Sequence, residues 1–302
     1  MTMQQKIWTV AEEHNRMRII PYLDLMLDTP HRINKNIVEN NLVGINNEAA
    51  RWYYIVRTGD TIDCMVPDDR PVSDEPEDLP VDIVYEDDDI VIVNKEKGMA
   101  VHPAPGNYVH TLKNAMLFRY PGTGPDEIRF AHRLDMMTSG LLVCTRSKAA
   151  RRSIGAQIFD HSCRRVYHAL VAGCPDPEEG VIDAPIGRDP GNFRRMWVTD
   201  RESKDARTSY RVLERFANAA LVELVLDTGR THQIRVHMSY IGHPLLNDPV
   251  YGTVLENAAF AGQALHACSL TLVHPTTKEK MTFTVPYPAW FEELLAQCRA
   301  EQ

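Results

Sequence analysis

Three short stretches of the sequence gather side chains that can do chemistry. "AHRLDMMTSGLLVCT" (131–145) sets His132, Arg133 and Asp135 just ahead of Thr138 and Ser139, and an apolar run follows. "GRTHQIRVH" (229–237) carries Arg230, His232, Gln233, Ile234 and Arg235, and "CRRVYHALVAG" (163–173) carries Tyr167. A carboxylate such as Asp135 can attack an electrophilic carbon or remove a proton while it stays ionised. Arg235 is a candidate partner, because an adjacent guanidinium favours the charged form. N–H groups at a helix start, with an Arg beside them, favour an anion. Each residue also has a plainer use: Asp135 in a cap or ion pair, Tyr167 in strand packing. Beside a reactive carboxylate, a Tyr can instead stack under an extruded base. Zinc does not fit, since His232 and His237 are five residues apart and two ligands on one helical face need a spacing of four. His237 reads as a core histidine.

These residues need elements to hold them. Asp135 falls in a loop before a buried strand. The strand "CRRVYHALVAG" alternates, with Tyr167, Ala169 and Val171 on one face and Val166, His168 and Leu170 on the other. "AALVELVLDTGRTHQIRVHMSYIGHP" reads as a strand, a Thr-Gly turn and a helix, with Thr231 as its expected cap and Gly242 and Pro244 as its stop. "AARRSIGAQIFDH" reads as a helix, and "ALHACSLTLVHPTTKEKMTFTVPYP" as a hairpin. "DIVYEDDDIVIVNKEKG" reads as two strands around a charged turn. Nearer the start, a helix around Ile33, Ile37 and Val38 precedes short strands in "LVGINN" and "YYIV", and "TGDTI" turns into a last strand. There is no internal repeat and no regular β-α-β alternation. The expected fold is α+β: a mixed, mostly antiparallel sheet preceded by a small α/β unit. The expected boundaries are a small unit over 1–65, an acidic Pro-rich linker over 66–80 and a larger domain over 81–302.

Bulk composition narrows the class. The 302 residues are 44% hydrophobic and 25% charged, which suits a globular chain with a real core. No apolar run approaches the ~20 residues that span a bilayer, and the N-terminus has no signal-peptide pattern. The six cysteines are scattered without a C-x-x-C pair, so a reducing cytoplasm is expected and a disulfide framework is not. Net charge is −8, which excludes a protein coated in nucleic acid but not a local basic cleft. The charge map is uneven: nine acids and no base lie between Asp74 and Asp89, and eight Arg/Lys face two Asp between Arg129 and His168. Both candidate motifs therefore fall in the basic middle of the chain.

With those residues in view, "HRLDMMTSGLLV" resembles the signature H-R-L-D-x-x-T-S-G-L-x-V of the large-ribosomal-subunit type of pseudouridine synthase. "VIVNKEKGMAVHPAPGN" (91–107), "CRRVYHALVAG", "TGRTHQIRVHMSYIGHPLLNDPVYG" (228–252) and "LHACSLTLVHP" (265–275) resemble the same family in the same order. The resemblance covers residues 81–290. It implies that Asp135 is the essential aspartate, that Tyr167 packs on the target base and takes its proton, and that Arg235 pairs with the aspartate. It implies that Ile234 lines the base pocket and that Arg133 helps hold the nucleotide out of its helix. His132, Thr138, Ser139, Arg230, His232 and Gln233 are expected around the RNA. The implied reaction isomerises uridine within RNA, most simply large-subunit ribosomal RNA, with transfer RNA as the alternative and with no cofactor or metal. The protein is expected to act as a monomer. More weakly, "PHRINKNIVENNLVGIN" and "RTGDTI" resemble an RNA-binding module of the ribosomal-protein-four type, although its basic character is thin. "NKEKG" departs from the usual "NKPAG". Two rivals remain. A non-catalytic RNA-binding assembly factor would not need Asp135, Tyr167 and Arg235 together. A glycosidase would need a second carboxylate within ~5–10 Å, and no motif supplies one.

Overall fold

The structure is a computed structural model and describes residues 3–27, 31–39, 42–46, 48–67, 75–103, 109–122, 128–190, 195–252 and 260–301. The chain divides into two compact units. In the first, β1 (Met3–Thr9), α1 (Ile19–Leu27), α2 (His31–Glu39), β2 (Val43–Ile45), β3 (Glu48–Ala49) and β4 (Thr61–Pro67) follow one another. The strands form an antiparallel sheet in the order β1-β4-β2-β3. Its core joins Ile19, Tyr22 and Leu23 of α1 to Ile37 and Val38 of α2 and to Val43, Ile45 and Ile62 of the sheet. The strand expected in "YYIV" is reduced to one bridge from Ile55 to Arg18. Tyr53 and Ile55 face solvent and only Val56 is buried, so no sheet edge receives the segment. β4 also runs to Pro67, beyond the expected start of the linker, and residues 68–74 of that linker lie outside the described residues.

The second unit continues with β5 (Asp82–Glu86), β6 (Ile90–Lys95), α3 (Leu112–Arg119), β7 (Arg129–Phe130), β8 (Ser139–Thr145), α4 (Lys148–Phe159) and β9 (Arg164–Ala172). Then come β10 (Glu179–Asp183), β11 (Ile186–Arg188), β12 (Met196–Val198), β13 (Arg207–Arg215), β14 (Ala219–Leu226), α5 (Gln233–Tyr240), β15 (Leu265–Val273), β16 (Lys280–Thr284) and α6 (Ala289–Ala300). The main sheet has the order β10-β13-β14-β9-β15-β8-β6-β5, with β16 on β15 and β7 on β8. Among the described strands only β15 and β8 pair in parallel, so the sheet is mixed and mostly antiparallel. Two points of the acidic segment before it are pinned to the unit. Asn114 Nδ2 donates to the Glu75 carbonyl (2.7 Å), and Glu77 Oε1 accepts from the His110 N–H (2.9 Å).

The central strand β9 obeys the alternation of its sequence. Tyr167, Ala169 and Val171 enter the cluster that includes Leu134, Leu224, Ile234 and Leu265. Leu170 enters the opposite cluster, with Phe291, Leu294 and Leu295 of α6. Both faces of the sheet are covered, which explains why β6, β8 and β9 are apolar almost throughout. Gly140 answers for the Thr-Ser-Gly turn. Its φ is +110°, and a Cβ there would lie 2.2 Å from the Ala267 carbonyl oxygen on β15. Only glycine lets β8 start so close to its parallel neighbour.

Candidate active site

The loop between β7 and β8 presents Asp135. A backbone bond from Thr138 N–H to the Asp135 carbonyl (3.0 Å) closes its turn. Lys95, buried at the end of β6, donates from Nζ to the carbonyls of Glu96, Met99 and Met136. One amino group thus ties β6 to the residue next to Asp135. Tyr167 approaches from β9, level with Leu224 on β14 and Ala267 on β15. α5 supplies Ile234 and Arg235, both buried. The turn before α5 is fixed by Gln233, whose Oε1 accepts from Thr228 Oγ1 (2.7 Å) and the Arg230 N–H (2.9 Å). Its Nε2 donates to the Arg207 carbonyl and to Thr208 Oγ1.

Arg235 organises the charges. Its Nη1 donates to Asp135 Oδ2 at 3.1 Å. Its Nε and Nη2 donate to Asp248 Oδ2 (2.7 Å) and Oδ1 (2.9 Å), and Asp248 is fully buried. Asp248 Oδ1 also accepts the Val250 and Tyr251 N–H groups, and the Tyr251 ring lies 5.0 Å under the guanidinium carbon. Burial would raise the Asp248 carboxyl, but Arg235 and the two N–H groups outweigh it and hold it below the ordinary carboxylate value. Burial likewise opposes the charge on Arg235, and its two carboxylates outweigh that and keep it protonated. Asp135 retains 19% side-chain exposure, so one carboxylate of this trio faces the cavity and the other is sealed behind the guanidinium. His232 Nε2 lies 3.9 Å from Asp135 Oδ2, and its Nδ1 pairs with the Tyr251 hydroxyl at 2.9 Å. Burial pushes the His232 pKa down, so the ring is neutral at pH 7.

Asp135, Tyr167, His232, Ile234 and Arg235 line one cavity of about 670 Å³ with Leu134, Arg165, Leu226 and Leu265. The cavity is within the size range of small-ligand sites. Burial pushes the Tyr167 phenol up to about 12, so it is neutral near pH 7. Its hydroxyl makes no hydrogen bond to any described residue.

Several expected RNA contacts are spent on the scaffold. Ser139 does not reach the cavity; its hydroxyl pairs with His266 Nδ1 at 2.9 Å. Thr138 borders the cavity, but its hydroxyl accepts from Gln263 Nε2 (3.0 Å). All the amide capacity of Gln233 goes into its turn. His132 accepts from the Val143 N–H, and burial, helped by the charge of Arg165, pushes its pKa down to about 3. Arg133 is exposed on the rim, and Arg230 donates from Nε to the Asp205 carbonyl at 2.8 Å. Thr231 is not the cap of α5: His232 takes that place in the left-handed conformation (φ +58°), without a side-chain cap bond. Gln233, bonded back to Thr228 and Arg230, does the capping work instead. His237 is fully buried between Thr208 Oγ1 and the Ala184 carbonyl. Sequence reasoning missed Asp248, Tyr251, Lys95 and Arg165. The signal for Asp248 was an Asp-Pro step inside the quoted 228–252 motif; no spacing rule ties it to Arg235 thirteen residues away.

Comparison with known proteins fits this geometry. Residues 89–240, half of the chain, match the family model of RNA pseudouridylate synthases. The chain belongs to that family. It is an RNA pseudouridine synthase, an isomerase. It is 40% identical over 296 residues to the Bacillus subtilis RNA pseudouridine synthase YlyB, covering 96% of this chain and 97% of that protein. It is 43% identical over 244 residues to the ribosomal large subunit pseudouridine synthase D of Zymomonas mobilis, covering 76% and 77%. Among solved structures, human RNA pseudouridylate synthase domain containing 1 aligns with a TM-score of 0.57 at 29% identity, over 76% of this chain and 98% of that one. The matched segment of the pseudouridine synthase holds Asp135, Tyr167 and Arg235 but stops short of Asp248. Among the described residues, no group of three or more His, Cys, Asp or Glu side chains is arranged to hold a metal ion, and no helix is long and apolar enough to cross a membrane.

Proposed function

We propose that the protein isomerises specific uridines of large-subunit ribosomal RNA, with Asp135 as the reacting carboxylate. The observation that carries this reading is the asymmetric trio: Arg235 holds two carboxylates, and only Asp135 opens to the cavity. In this mechanism the target nucleotide leaves its stack, at a cost of a few kcal/mol that single-stranded loops reduce. Its uracil rests between Tyr167 and Ile234, and Arg133 on the rim supports the extruded backbone. Asp135 attacks the anomeric carbon or removes a sugar proton, and the C1′–N1 bond breaks with its electron pair on the uracil. The uracil turns and carbon 5 joins C1′ as the Asp135–C1′ ester bond breaks, or as Asp135 returns the proton it took from the sugar, and the proton on carbon 5 then leaves. A neutral phenol at Tyr167 serves as the floor on which the ring turns. It accepts that proton only by passing its own onward. Asp248 cannot serve as the acid of a glycosidase, because it is sealed and bonded on both oxygens.

The residues of 1–65 act as an accessory RNA-binding unit, and the protein works as a monomer in the cytoplasm. The large-subunit assignment rests on the printed names of relatives such as the Zymomonas enzyme. The experiment that tests it maps pseudouridines by chemical modification and reverse transcription in cells with and without the gene. Loss of one or more sites in large-subunit ribosomal RNA, restored by the wild-type gene and not by Asp135→Asn, is the expected result. Losses confined to transfer RNA would overturn the substrate, and no loss at all would overturn the activity in cells.

A further inference from the structure

Arg165 is a buried cation that no described residue neutralises. It stands two residues before Tyr167 on β9, on the same face, and is 4% exposed. Its one hydrogen bond among the described residues runs from Nη2 to the Leu226 carbonyl at 3.3 Å. Its Nε is buried without a partner. The cavity also contains Asp135, Asp205 and Asp227, and none of them pairs with it. Asp135 is taken by Arg235 and Asp227 by Arg207. A guanidinium withdrawn from water with no counter-ion among the described residues opposes folding. A fold that only needed volume there would be better served by an apolar side chain.

The free end of the guanidinium is reachable. Nη1 lies 3.2 Å from the position that a Cβ on Gly229 would occupy. Gly229 is exposed, and both residues line the cavity. Glycine at this turn therefore leaves the nitrogen uncovered. We infer that Arg165 binds a phosphodiester next to the extruded uridine, which completes the buried charge when RNA enters. This rests on the reading of the cavity given above. A phosphate suits the site better than the uracil ring. The ring is neutral until its bond to the sugar breaks, whereas the phosphate brings a permanent charge to match a permanent one. Two strand residues span about 7 Å, so Arg165 stands one sugar's length from the residue under the base.

The test uses a hairpin RNA carrying a uridine located by the mapping above, made with natural linkages and with one neutral methylphosphonate on either the 5′ or the 3′ side of that uridine. Conversion of the natural hairpin by the unaltered enzyme is a separate readout; its failure would count against the proposed substrate and not against Arg165. Affinity is then measured by fluorescence anisotropy in an Asp135→Asn background, so that no product forms. One of the two neutral linkages is expected to weaken binding about tenfold or more, the scale of a lost charge-assisted hydrogen bond. Arg165→Gln is expected to lose the same factor on the natural hairpin and nothing further on that neutral one. Arg165→Lys keeps part of the discrimination. Additive losses in Arg165→Gln would overturn the inference by assigning the residue a structural role. Indifference of the parent protein to both neutral linkages would also overturn it, and that arm needs no Arg165 variant to fold.

Discussion

Asp248→Asn tests whether Arg235 depends on its sealed partner. The substitution keeps the shape and removes the charge. Arg235 would lose one of its two short bonds to this residue, 2.7 and 2.9 Å, would make the other to a neutral carbonyl, and would keep the 3.1 Å bond to Asp135. The amide would also turn at least one N–H toward a guanidinium N–H. Breaking a buried pair on one side costs about 3–5 kcal/mol; for a unit of this size that lowers Tm by roughly 6–20 °C. The pH dependence has a definite sign. The folded-state pKa of Asp248 is lowered, so its contribution is complete above the unfolded carboxyl value of about 3.9 and disappears as pH falls through the folded value. Thermal unfolding of the two proteins should therefore differ by a constant amount from pH 6 to 8, and the gap should narrow below pH 4. Catalysis should fall too, because a carboxylate displaced by an ångström can lose about 10²-fold in rate. Single-turnover conversion of RNA reads that directly. Equal Tm and equal single-turnover rate in Asp248→Asn would refute the clamp.

Three further outcomes follow from the same geometry. If Tyr167 works as the neutral phenol that burial favours, with a pKa about 12, the rate does not climb tenfold per pH unit between pH 7 and 10. A climb that disappears in Tyr167→Phe would show that phenolate is the working base. Burial of His132, with a pKa about 3, predicts that its ring resonances hold still in NMR spectra from pH 8 to 5; movement with a midpoint near 6.5 would contradict that burial. Gly140→Ala should be among the costliest single changes, above ~4 kcal/mol, because it adds a Cβ 2.2 Å from a carbonyl oxygen at φ +110°. A denaturant midpoint within error of wild type would show that β8 and β15 can part.

The sequence was most legible where pattern and period agreed. Tyr167, Ala169 and Val171 alternate with Leu170 in the letters and on the two faces of β9. Asp135 and Arg235, one hundred residues apart, were paired from residue chemistry and family likeness alone and meet at 3.1 Å. What escaped was whatever depends on contacts with no local period. Asp248 looks like a turn residue until the fold brings it under Arg235. Gln233 has the donors and acceptors to read a base, but four scaffold partners consume them. Ser139 faces His266 because β8 runs beside β15, a pairing that sequence separation hides. "YYIV" has strand-forming residues but no receiving edge. The end of the acidic Pro-rich linker is held by Asn114 and His110 of the larger unit, through the Glu75 carbonyl and the Glu77 carboxylate.

The account stands or falls on Asp135. RNA from cells lacking the gene, incubated with the purified protein and analysed by nucleoside mass spectrometry, should gain pseudouridine with the wild type. Asp135→Asn should yield none while binding the same RNA within a few fold. Pseudouridine formed at an undiminished rate by Asp135→Asn would contradict the account at its root.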